Sequence, residues 1–237
     1  CFRFQVSSFM KITWAGQACF QISVSGSPNR NATNVAGGKD NQVNIVIDPF
    51  GEIGLKIPNF EADILLLTHG HEDHNNAKAI RGSPFLINGP GEYEVKGVFV
   101  QGIDSFHDDS LGKDRGRNTI YTIEAEDMKF CHLGDLGQKQ LTDEQLEKIG
   151  TVDILMIPVG GVYTIDSSDA SKIIGQIEPK IVIPMHYELP GLKFKLDGVS
   201  KFLKSMGKNS IQPQDKLTIK TSTLPKDREM EIIVLKP

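Results

Sequence analysis

Four side chains able to bind a metal ion, His69, His71, Asp73 and His74, fall within six residues, directly after Thr68 and the apolar run 64–67. Side chains alternate faces along an extended chain, so His69 and His71 point the same way. Asp73 and His74 fall where the chain turns into its next element. Three imidazoles and a carboxylate are expensive to bury unless they are paired or hold an ion, so the spacing predicts coordination. This ligand mixture suits Zn2+ and also accepts Mn2+ or Fe. A divalent ion lowers the pKa of a bound water from about 15.7 towards ~7, so such a chain needs no Ser or Cys nucleophile to hydrolyse a substrate.

Three histidines remain, His107, His132 and His186, each at or just after a strand-like segment. Binding and catalytic groups collect at such ends. A lone histidine there is ordinarily structural, and these three gain weight only in company with the opening cluster.

Positioning such groups takes a substantial core, which 237 residues with 39% hydrophobic content can supply. A net charge of -4 gives no global attraction to nucleic acid or an anionic membrane. Cys1, Cys19 and Cys131 are few, odd in number and far apart, which is no disulfide framework and fits a reducing, cytoplasmic setting. Residues 1–9 are too short and mixed for a signal peptide and are read as an N-terminal extension to a single domain over 10–237. Nothing in the sequence approaches the ~20 apolar residues of a membrane span.

Alternation and turn residues predict strands over 10–14, 19–24, 43–47, 62–67, 84–87, 93–103, 118–124, 128–132, 152–157, 180–184, 216–220 and 229–235. Residues 25–42, rich in Gly and Asn, predict a long loop. Helices are expected over 142–149, with Thr142 and Gln145 in capping-box spacing, and over 167–177 and 199–205. Another is expected to start within 75–80 and point its N-terminus at the metal cluster. Strand-rich and alternating blocks occur twice. The fold class predicted is α/β, a four-layer αββα sandwich of two mixed sheets.

With these residues in view, the chain resembles the metallo-β-lactamase-fold hydrolases, whose His-x-His-x-Asp-His motif is matched by His69, His71, Asp73 and His74. The similarity runs from Met10 to about Gly207. It places the family's next ligand on His107, a bridging aspartate on Asp135 (in Gly134-Asp135-Leu136) and the last histidine on His186. It implies two divalent ions, one on His69, His71 and His107, the other on Asp73, His74 and His186, bridged by Asp135. The turn around Gly16-Gln17-Ala18 resembles that of a branch containing ascorbate-6-phosphate lactonases, except that Gln17 stands where the branch has His. An amide hydrogen-bonds but does not titrate.

The resemblance implies a metal-dependent hydrolase acting on a small ester, lactone or phosphorylated metabolite, with Asp73 orienting or deprotonating the attacking water. His132 has two readings, as an aid to catalysis and as a packed strand histidine. Residues 158–164 resemble the branch's glycine-bearing loop near the site and contribute Tyr163. Arg115 and Lys193 sit in charge runs that are either solvated faces or recognise a substrate phosphate or carboxylate. A phosphodiesterase or nuclease of the same fold and a non-hydrolytic metal-binding protein are the alternatives. The acidic balance and lack of an added nucleic-acid-binding domain weigh against a nuclease. A small-molecule partner is expected, and homo-oligomerisation is left open.

Overall fold

The chain begins with a hairpin whose inward side chains start the core. In the computed structural model, which describes residues 9–25, 42–226 and 229–237, β1 (Met10–Gly16) pairs antiparallel with β2 (Cys19–Ser25), Trp14 opposite Phe20. Of the expected loop and N-terminal extension only Ser25, Gln42 and Phe9 lie among the described residues, Ser25 ending β2 and Gln42 opening the next strand. Strands β3 (Gln42–Ile47), β4 (Ile64–Leu66), β5 (Phe85–Ile87) and β12 (Leu217–Ile219) complete a six-stranded sheet ordered β12-β1-β2-β3-β4-β5. It is mixed: β3, β4 and β5 run parallel, the others antiparallel.

The second sheet is also mixed. It contains β6 (Gly91–Val95), β7 (Val98–Phe106), β8 (Arg117–Ala125), β9 (Met128–His132), β10 (Ile154–Pro158), β11 (Ile181–Met185) and β13 (Glu231–Ile232), ordered β13-β11-β10-β9-β8-β7-β6. The segment expected as one strand over 93–103 is a hairpin, because Lys96 (φ 53°) and Gly97 (φ 79°) take the left-handed conformations of a tight two-residue turn.

Period-two burial builds the layers. Val43, Ile45, Ile47, Ile64 and Leu66 face the core between the sheets, whereas Val46, Leu65 and Leu67 face the outside of the first sheet. That outer face is covered by Phe50, Ile53 and Ile80, with Leu55, Phe60, Leu192 and Phe194 against them, and no α-helix contributes there among the described residues. The three α-helices, α1 (Asp143–Ile149), α2 (Ser167–Ile177) and α3 (Val199–Ser205), pack into the other cluster. In α2, Ala170, Ile173, Ile174 and Ile177 form the buried stripe, and Asp166 caps it by accepting from the backbone N–H of Ser168 and Asp169. The Thr142–Gln145 capping box opens α1 as expected.

The helix expected after His74 does not form. Residues Ala77–Ala79 make only a single 3-10 turn, because Asn76 donates through its backbone to Pro49 and through its side chain to Phe50 and caps nothing. No helix dipole faces the metal-binding cluster from there.

Candidate metal centre

Four of the ligand candidates sit just beyond the C-terminal end of a strand, where the ladder stops constraining the backbone: His69 after β4, His107 after β7, Asp135 after β9 and His186 after β11. The seven residues fall into two groups, His69, His71 and His107, and Asp73, His74, Asp135 and His186. Within each, the candidate ligand atoms all lie within 4.8 Å of one another. The first group is the more open, with His71 exposed. In the second, His74, Asp135 and His186 are buried.

One atom faces both groups. Asp135 Oδ2 lies 3.3 Å from His107 Nε2 and 3.2 Å from both His74 Nε2 and His186 Nε2. With metal–ligand bonds of about 2.0–2.2 Å, neighbouring ligands of one ion stand roughly 3.0–3.6 Å apart, so these separations fit coordination. The lone pairs fit as well. His69 Nε2, His74 Nε2 and Asp135 Oδ1 are buried with no hydrogen-bond partner among the described residues, a costly state that a cation relieves.

The opposite ring nitrogens of His69 and His74 are held, while His107 Nδ1 and His186 Nδ1 have no hydrogen-bond partner among the described residues. Asp48, buried at the end of β3, accepts from Thr68 N (2.8 Å), Thr68 Oγ1 (2.6 Å) and His74 Nδ1 (3.1 Å). Thr68 Oγ1, its proton given to Asp48, is left to accept from His69 Nδ1 at 3.0 Å. Both histidines therefore turn Nε2 towards the centre. Asp48 and Thr68 were not singled out from sequence for this role. The available signal was a carboxylate immediately after a buried apolar strand. Asn118 is a third such residue: its Oδ1 accepts from Asp135 N, and its Nδ2 donates to Ser105 Oγ and Leu133 O. A side chain on Gly134 (φ 57°) would come within 2.3 Å of Asn118 Oδ1, so only glycine fits there.

Buried carboxylates and imidazoles shift one another's protonation within the cluster. Burial alone would raise the Asp135 pKa, but His186 and His74 outweigh it and hold the carboxyl well below its usual range. Burial would lower that of His74, and Asp135, Asp48 and Asp73 together raise it instead. His69, half-buried and beside His74, is pushed down to about 3 and so offers a lone pair.

A family profile described as "Beta-lactamase superfamily domain" matches residues 37–186, more than half of the chain. A UPF0173 metal-dependent hydrolase of Thermoplasma volcanium is 31% identical over 208 residues, covering 75% of this chain and 83% of the relative. Another, from Methanopyrus kandleri, is 27% identical over 213 residues, with coverages of 75% and 84%. The crystal structure of a candidate Zn-dependent hydrolase of the metallo-β-lactamase superfamily from Thermotoga maritima aligns with a TM-score of 0.71 at 36% identity, over 96% of this chain and all of that one. The chain belongs to the metallo-β-lactamase superfamily. It is a metal-dependent hydrolase, and the paired mixed sheets are that fold.

On this superfamily scaffold the remaining sequence candidates separate. His132 is fully buried and packs edge-on against Phe20. Its Nδ1 accepts from Gly134 N at 3.1 Å, so Nε2–H donates to Ala18 O at 2.9 Å. Both ring nitrogens are thereby committed to backbone, which leaves none for proton transfer at the cluster.

Arg115 and Tyr163, 48 positions apart in sequence, do meet: the guanidinium lies 4.8 Å from the ring centroid. Tyr163 also stands edge-on to Phe194 at 5.9 Å. Lys193 is exposed, tied through its backbone N–H to Ile53 O, and makes no hydrogen bond or ion pair with Arg115 or Tyr163 among the described residues. The glycine-bearing loop rests on the last histidine, since a side chain on Gly160 would strike the His186 carbonyl at 2.1 Å. Among the described residues no helix is long and apolar enough to cross a membrane.

Proposed function

We propose that this hydrolase works with two divalent ions, Zn2+ in the first instance with Mn2+ or Fe as substitutes, and acts on a small ester, lactone or phosphorylated metabolite. The observation that carries the two-ion reading is Asp135 Oδ2, one oxygen at ligand-edge distance from imidazoles of both groups. His69, His71 and His107 would hold one ion and Asp73, His74 and His186 the other, with Asp135 between them. Bound there, the ions supply Lewis acidity, which makes water nucleophilic at neutral pH and stabilises a developing oxyanion.

The chain's own residues supply the rest. Burial would raise the Asp73 pKa, but the hydrogen bond and charge of His74 outweigh it and keep the carboxylate ionised. Partly exposed at the mouth of the buried group, Asp73 is the acceptor that orients the attacking water. His132 supports the site by holding the β1–β2 turn through Ala18 O. Among the described residues Arg115, in contrast to Arg117 with its Asp104 partner, makes no ion pair. Stacked on Tyr163, it keeps N–H groups free for a substrate carboxylate or phosphate, and Lys193 adds positive charge nearby.

The lactonase-like hairpin turn favours lactones within this class, the candidate Zn-dependent Thermotoga relative favours zinc, and the buried free thiols of Cys19 and Cys131 suit a reducing cytoplasm. The test is a screen of lactones, phosphodiesters and sugar phosphates on metal-reconstituted protein, with metal content measured on the same sample. Turnover with two equivalents of metal is expected, lost on chelation and lowered ~10²-fold or more in Asp73→Asn. Unchanged turnover after stripping the metal would end this mechanism.

A further inference from the structure

The buried group has a fifth polar atom that its four residues do not account for. Around it the separations run Asp73 Oδ2 to His74 Nε2, 3.5 Å; His74 Nε2 to Asp135 Oδ2, 3.2 Å; and Asp135 Oδ2 to His186 Nε2, 3.2 Å. The Gln17 side-chain amide closes the ring, its Nε2 lying 2.8 Å from His186 Nε2 and donating to Asp73 Oδ2 at 3.2 Å. All five edges fall in or next to the roughly 3.0–3.6 Å expected between ligands of one ion.

Gln17 is also held there at a cost. It is fully buried, its Oε1 has no hydrogen-bond partner among the described residues, and its backbone sits at φ 53°. His186 is in the same left-handed region at φ 52°. The two are joined by backbone as well as side chain: His186 N and Trp14 Nε1 both donate to Gln17 O at 3.0 Å. The positive φ of Gln17 belongs to the tight β1–β2 turn between the paired Gly16 and Cys19. What points to a ligand is the buried, incompletely satisfied amide braced against His186, 169 positions away, at a cluster of charged groups.

We propose that Gln17 is a ligand of the buried metal position, supplying its side-chain oxygen as a neutral fifth donor beside Asp73, His74, Asp135 and His186. The oxygen and nitrogen ends of an amide are nearly isosteric and exchange by a half-turn. A divalent ion attracts the carbonyl end and repels the N–H end, so the ion fixes which end faces it. Gln17 gives the buried position an oxygen donor and adds no charge. The inference rests on the metal-centre reading above.

The test is titration of the full chain with Co2+, following heat and visible absorption, for wild type, Gln17→Leu and Gln17→Glu. Repeating each in a His71→Ala background, which disables the open group, assigns the effect to the buried one. Gln17→Leu is expected to weaken one equivalent by ~10-fold or more and to intensify its cobalt absorption as the coordination number falls. Gln17→Glu, which keeps an oxygen and adds charge, binds that equivalent at least as tightly as wild type. A Gln17→Leu protein with wild-type affinity and spectrum overturns the proposal. Should Gln17→Leu not fold, weaker binding by Gln17→Glu than by wild type does the same. A wild type that binds one equivalent in total defeats the two-ion reading and leaves the Gln17 comparison intact on that equivalent.

Discussion

Thr68 binds Asp48 twice, its backbone N–H to one carboxylate oxygen at 2.8 Å and its hydroxyl to the other at 2.6 Å. The same second oxygen accepts from His74 Nδ1, and the Thr68 hydroxyl oxygen is the partner of His69 Nδ1. One carboxylate thus sets the tautomer of a histidine in each metal-binding group. Asp48→Asn replaces an acceptor with a donor and disturbs both. Metal affinity is expected to fall ~10–100-fold at both positions. Thr68→Val, which removes only the hydroxyl, should act chiefly through His69. Metal titration of the two variants separates these effects, and an Asp48→Asn protein that binds as tightly as wild type would refute the arrangement.

His132→Phe keeps an aromatic ring of similar size but leaves Ala18 O and Gly134 N without their partner. Stability should drop by about 2 kcal/mol or more in urea unfolding. Turnover per folded molecule should fall far less than in Asp73→Asn, because His132 positions the turn and takes no part in the chemistry. A collapse of kcat at unchanged stability would instead make His132 part of the chemistry.

Arg115→Ala removes the guanidinium stacked on Tyr163 without touching a metal-binding residue. For an anionic substrate, KM should rise about tenfold or more with kcat little changed, as for a lost charge-assisted hydrogen bond. A neutral analogue should show no such rise. Arg115→Lys is not expected to rescue, because an ammonium lacks the planar fork and stacks poorly.

Burial pushes the Cys131 thiol up to about 12, and burial with the Asp48 charge raises that of Cys19. A raised thiol pKa means that the reactive thiolate is scarce until pH approaches the shifted value. At pH 8, peptide mapping should find both residues unmodified by iodoacetamide in the folded protein and alkylated in urea. Modification of either in the folded state would contradict this packing.

The clearest readings from sequence concern short-range physics. His69, His71, Asp73 and His74 declare themselves because four ligand types within six residues need no knowledge of the rest of the chain. The Thr142–Gln145 box and the stripe in α2 are equally local. A local pattern misleads where it is compatible with two outcomes. Residues 93–103 alternate as one strand would, yet Lys96 and Gly97 turn them back into a hairpin. Residues 75–80 suit a helix start, yet Asn76 spends its hydrogen bonds on Pro49 and Phe50.

By itself, then, the sequence determined a metal-binding motif at a strand end, the two-sheet α/β class and the identity of most helices and strands, since each follows from residue type and period within about a dozen positions. Resemblance supplied His107, Asp135 and His186. Only the tertiary structure decided that Asp135 Oδ2 faces both groups, that Asp48 and Asn118 hold the ligands, that His132 is spent on backbone, and that Gln17 closes the ring at His186. The physical reason is distance along the chain. These contacts join residues 17 to 169 positions apart, and no local propensity encodes which strand ends will meet when two sheets pack face to face.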